Sequence, residues 1–231
     1  MNLNFLKTVF FIPLFCLTFF ASIYSNQNKA NILSGDYLAN EFVESLIKTK
    51  SPLKSRTLGT PQLLQINTDT AGLTIKTIID FNEGGPIFLF TPDHRLIKVS
   101  GIAHKQEFEI IDSQHVKFGY DAFPALVYCF VNNAEKFASK TCLVGQYVEK
   151  NKKQYKFFDN GTLLFPDKKL NYTIGLFLPP SFIYDYFTDK SIEYAFRRQN
   201  DSLLIFNVSG GSLFEDGVVD NKTILYLQKI K

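Results

Sequence analysis

The chain has 231 residues, with 25 lysines and arginines set against 22 aspartates and glutamates. A net charge of +3 is too balanced to argue for nucleic acid or an anionic membrane surface as the partner. Phenylalanine and tyrosine account for an aromatic content of 15%, tryptophan is absent, and β-branched residues are common, a mixture that suits pleated, half-buried surfaces better than helices.

The first residues carry one cation, Lys7, and no acid precedes Asp36. Residues 8–21 form an apolar run of signal-peptide length, shorter than the about 20 residues a spanning helix needs. Pro13 inside the run removes a helical hydrogen bond, and the polar stretch 25–28 ends it. Residues 1–25 therefore read as a signal peptide cleaved after Ser25, which predicts a secreted or periplasmic protein. Cys16 reads as part of the apolar run, because Leu14 and Phe15 are too large for a lipid-modification site. Cleavage leaves Cys129 and Cys142. In an oxidising compartment the pair predicts one disulfide, with two buried free thiols as the alternative.

Residues 26–60 form a polar leader and one helix. Leu38, Phe42 and Leu46 share a stripe with Tyr37, Val43 and Ile47 beside it, capped by Ser34 or Asp36 and ended before Ser51 and Pro52. From residue 61 the period changes to two. Residues 73–80 and 86–90 read as strands around the turn at 82–85, followed by strands at 94–99, 107–111 and 116–120. Residues 125–131 and 141–148 flank a polar link, and 154–158 leads into Asn160-Gly161, a tight-turn signal. A strand at 170–178 presents one apolar face, 192–198 pairs with 203–208, and 224–230 closes the chain. Many short strands without alternating helices predict an all-β domain over 61–231, an antiparallel meander barrel preceded by one short helix.

The opening Gly35-x-Tyr37 beside a short helix, and the segment Tyr155-Lys156-Phe157-Phe158-Asp159-Asn160-Gly161-Thr162 with its F-x-x-(D/N)-G-T pattern, resemble the bacterial lipocalin-like (calycin) barrel proteins. The resemblance implies a cup for a small apolar ligand or a lipid, without catalysis or a cofactor.

Chemistry-bearing residues are sparse. His94, His104 and His115 are spaced about ten residues apart, and lack the two- or four-residue spacing that would preorganise a zinc site, so surface histidines are the expectation. Glu107 and Glu109 share a strand face and read as its solvated side. Asp185 and Asp189 near Tyr184, Tyr186 and Phe187 have the residue types of a sugar site. Residues 208–212 lack the nucleophile elbow, and the Gly84-Gly85 and Gly210-Gly211 pairs are not phosphate loops, so no catalytic residue is assigned. The leading expectation is a non-catalytic binding module whose interior, lined by Tyr172, Ile174, Leu176, Tyr194 and Phe196, holds an apolar molecule. A dry core is the other use of such residues. The alternative function is an envelope interaction protein that docks a partner through aromatics at 182–187.

Overall fold

The computed structural model describes residues 32–230, apart from 58–59, 70–71, 79–83, 91–95, 101–105, 122, 177–183, 190–191 and 210–217. Residues 1–25, expected to be a signal peptide, lie outside these residues. The fold is all-β and antiparallel, as expected. Its strands form two curved sheets, one a nearly closed barrel and the other a half-barrel, where the sequence pattern predicted a single barrel.

The first sheet contains β1 (Gly35–Ala39), β2 (Leu63–Asp69), β3 (Gly72–Ile78), β4 (Gly84–Phe90), β5 (Leu96–Ser100), β6 (Gln106–Ile110), β7 (His115–Tyr120) and β8 (Leu126–Asn132). Its order is β5-β4-β3-β2-β1-β8-β7-β6, so the first strand pairs with both the second and the last. The second sheet contains β9 (Gly145–Glu149), β10 (Gln154–Phe157), β11 (Thr162–Leu164), β12 (Lys169–Asn171), β13 (Thr173–Ile174), β14 (Asp185–Asp189), β15 (Ile192–Gln199), β16 (Ser202–Ser209) and β17 (Val218–Lys229). Its order, β12-β11-β10-β9-β17-β16-β15-β14-β13, again joins the first strand to the second and the last. The two ends of this order, β12 and β13, flank Tyr172 in the chain. The strand expected at 170–178 is therefore interrupted, bonding to β11 before Tyr172 and to β14 after it.

Both sheets begin with the same local device. Gly35 and Gly145 sit at φ +146° and +153°, in a region that favours glycine, and each is followed two residues later by a fully buried tyrosine. Tyr37 donates its hydroxyl to Leu33 O at 2.9 Å and Tyr147 donates to Leu143 O at 2.7 Å, each four residues back. Gly35-x-Tyr37 thus opens the first meander, and Gly145-x-Tyr147, which the sequence pattern left unmarked, opens the second.

Three helices are described where one was expected. The helix expected from residue 34 begins instead at Asn40 (α1, Asn40–Thr49), and residues 35–39 form β1. Tyr37, Leu38 and Ala39 are buried in succession because β1 is central and covered on both faces, and such a run carries no period that separates it from a helix. A short turn of helix follows (α2, Pro52–Ser55), capped by the Ser51 hydroxyl, which accepts from Lys54 N at 3.2 Å. The polar link expected before residue 141 is α3 (Ala134–Cys142), whose Asn133 side chain accepts from Lys136 N at 2.7 Å. Among the described residues no helix is long and apolar enough to cross a membrane. The helices join the sheets: α3 touches β1 and β13 as well as α1, and Leu53 N in α2 donates to Asp185 on β14 at 2.7 Å. One apolar core consequently runs through both sheets.

Candidate functional site

The five residues expected to line a ligand cup divide into two groups. Tyr172, Tyr194 and Phe196 are core residues gathered around Phe187, with ring centroids 5.9, 5.1 and 6.1 Å from it, and Tyr172 also donates its hydroxyl to Phe158 O at 3.0 Å. The three contacts are edge-on to Tyr172, stacked on Tyr194 and tilted to Phe196, a mixture that fills space efficiently. The first sheet is packed similarly, with Phe118 at 5.2 Å from Phe88 and 5.8 Å from Tyr120. Ile174 and Leu176 are buried in the same core and also line a cleft.

That cleft, about 590 Å3 in volume, lies between the sheets. The first sheet supplies Asp36, Leu63, Gln65 and Ile78, and the start of α3 supplies Glu135. The second sheet supplies Ile174, Leu176, Tyr186 and Glu193. Asp36 holds one corner: Oδ2 accepts from Ala134 N at 2.8 Å and Oδ1 accepts from Gln65 Nε2 at 3.3 Å. With both oxygens bonded it is a strut joining β1, β2 and α3. Gly175 sets the opposite wall, because a Cβ there would overlap the Tyr186 ring that packs across it, while Gly175 N donates to Tyr186 O at 3.0 Å. Burial pushes the Tyr186 hydroxyl pKa up, and the fields of Glu193 and Glu135 push it further in the same direction. Burial also raises the Glu135 carboxyl, with Asp36 adding to the shift. None of the described residues lining the cleft is basic, and none is a cysteine, serine or histidine. The arrangement supplies shape, hydrocarbon walls and negative charge.

The other expectations fall elsewhere. The disulfide is not formed: Cys129 and Cys142 are free thiols. Cys129 lies on β8 opposite Leu38 and His115, whereas Cys142 ends α3, where its carbonyl accepts from Arg198 Nε on β15 at 3.0 Å, so a strand holds one and a helix the other. His94 and His104 lie outside the described residues. His115 is bound through Nδ1 to Asp112, 2.9 Å from Oδ2, and among the described residues no cluster of ligating side chains could hold a metal. Glu107 pairs with Lys117 at 2.5 Å on an exposed strand face, as a solvated surface would. Of the aromatics expected to dock a partner, Tyr186 and Phe187 are buried, and Tyr184 is half-buried, with Arg197 4.9 Å and Phe206 5.2 Å from its ring. Phe182 lies outside the described residues. The same burial removes the open aromatic platform that a sugar would need beside Asp185 and Asp189.

The carboxylates of the cleft, at positions 36, 135 and 193, escape any reading of local spacing because three separate elements bring them together. No family model matches the sequence, and the comparisons with curated proteins and with solved structures find no match.

Proposed function

We propose that this chain is an exported, non-catalytic binding protein whose small-molecule ligand sits in the cleft between the two sheets. The observation that carries this reading is the cleft itself, about 590 Å3 with apolar walls and convergent polar groups. The lipocalin-like expectation of a bound apolar molecule is retained for Ile174 and Leu176, while Tyr172, Tyr194 and Phe196 act as the packed wall behind them. Export through the segment 1–25 accords with this role, since a binding protein acts where its ligand is encountered.

Native mass spectrometry of the mature protein from its own host is expected to detect a bound small molecule. Thr188→Phe, which fills the cleft from β14, is expected to remove it. A bare chain, or a ligand retained at full occupancy by the variant, overturns the reading.

A further inference from the structure

We infer that the second sheet carries N-linked glycans at Asn171 on β12 and Asn207 on β16. The inference is independent of the cleft, and rests on the chain being exported through a secretory route that holds a lipid-linked oligosaccharide donor. The pattern Asn-x-Ser/Thr, with x other than proline, is the acceptor for such transfer. Serine and threonine make up about an eighth of the chain, so about two of its sixteen asparagines would stand in the pattern by chance, and five do. Their placement is more uneven than their number. None of the eleven asparagines up to Asn151 stands in the pattern, whereas all five beyond it do: Asn160, Asn171, Asn200, Asn207 and Asn221. All five lie in the second sheet or its turns, and the four whose side chains are described, all but Asn221, are exposed.

Two of these asparagines have a structural use. Asn160 Oδ1 accepts from Thr162 N at 3.1 Å in the hairpin turn, and Asn200 takes the left-handed conformation, φ +52°, at the turn between β15 and β16. Asn171 and Asn207 have no such use. Each lies on a strand, where asparagine is disfavoured, and among the described residues neither side chain makes a hydrogen bond. Thr173 and Ser209, which supply the hydroxyl two residues on, are exposed as well. An outward amide without a partner leaves the folded sheet able to carry a bulky, solvated group. In the transfer, Asn Nδ2 attacks the anomeric carbon of the lipid-linked sugar. The new C–N bond replaces the C–O bond to pyrophosphate, the lipid pyrophosphate leaves, and the amide proton passes to the transferase.

The test is intact-mass and peptide analysis of the full protein from its own host, before and after peptide N-glycosidase in heavy-oxygen water, which releases the glycan and leaves labelled aspartate. The intact mass is expected to fall on treatment, and the peptides spanning positions 171 and 207 to carry the label. Asn171→Gln and Asn207→Gln are each expected to remove one glycan. Ser209→Ala, which keeps Asn207 but loses the hydroxyl, is expected to remove the same glycan as Asn207→Gln. Unlabelled asparagine at either position, in a chain that begins near residue 26, overturns the inference while leaving export in place. Unlabelled asparagine in a chain that still begins at Met1 overturns both. Glycans confined to Asn160, Asn200 or Asn221 overturn the assignment to the strand positions, and a glycan kept at Asn207 in Ser209→Ala overturns the acceptor pattern.

Discussion

Asp185 is 4% exposed, and its Oδ1 accepts from Leu53 N at 2.7 Å. Burial pushes its pKa up to about 6, against the opposing pull of Ser51, the Leu53 N–H, Lys54 and Arg56. Because the folded value lies above the unfolded one, the native state binds the extra proton between about pH 4 and 6. Stability therefore falls as pH rises through that window and levels off above it, by at most about 3 kcal/mol. Asp185→Asn keeps the acceptor for Leu53 and is expected to remove this fall. Urea unfolding of both proteins from pH 4 to 7 checks it: a stability difference that stays constant across the window refutes the assignment. The cysteines provide a second residue-level prediction. Burial raises both thiols, and Cys142 is fully enclosed while Cys129 is half-buried. Labelling without reductant is expected to modify Cys129 slowly in the folded protein and Cys142 only after unfolding. Peptide mapping that recovers the two linked by a disulfide contradicts it.

At the scale of elements, α3 depends on contacts from both sheets. Asp36 reaches from β1 to its first N–H, that of Ala134, and Arg198 reaches from β15 to its last carbonyl and to Tyr147, donating Nη2 to the hydroxyl at 2.7 Å. Its fully buried residues, Ala134, Ala138, Ser139 and Cys142, are small and alternate with Glu135, Lys136 and Lys140, so the segment is polar on average and reads as a polar link. Position-specific partners compensate for the small stripe. Asp36→Ala is expected to cost about 1 to 2 kcal/mol, the range for losing a helix cap. Arg198→Ala is expected to cost about 1.5 to 3 kcal/mol because a carbonyl and a hydroxyl both lose a charged donor. Arg198→Lys recovers only part of this, since one ammonium lacks the planar fork that reaches both. Denaturant midpoints measure all three, and an Arg198→Lys variant as stable as the parent would refute the two-partner role. The hairpin at 158–161 was legible for the opposite reason: its signal is wholly local, with Asn160 Oδ1 accepting from Thr162 N at 3.1 Å and Phe158 N donating to Thr162 O at 2.8 Å.

At the scale of the whole molecule, the strand content and antiparallel class were readable because alternation is a property of short windows, as in β6 and β10. The division into two sheets was not, since it depends on which strand meets β1 and which meets β9, pairings across 95 and 80 residues or so that no window spans. The cleft was hidden for the same reason, and only its Ile174 and Leu176 wall carried a local sign. Two sheets of similar plan invite the expectation of two independent folding units. The contacts argue otherwise. A single apolar core includes Tyr37, Phe88 and Phe118 from the first sheet together with Tyr147, Phe157 and Phe196 from the second. The helices between them are bonded to both, through Asp36 to α3, Asp185 to α2 and Arg198 to α3. Unfolding either sheet would expose the helix faces the other one covers and leave Asp185 and Arg198 without their partners, so a half-folded state gains entropy for one sheet while losing burial from both. Calorimetry on residues 26–231 is therefore expected to give one transition whose calorimetric and van't Hoff enthalpies agree. Two resolved transitions, or an enthalpy ratio near two, would show that the sheets unfold separately and that the helical layer couples them only weakly.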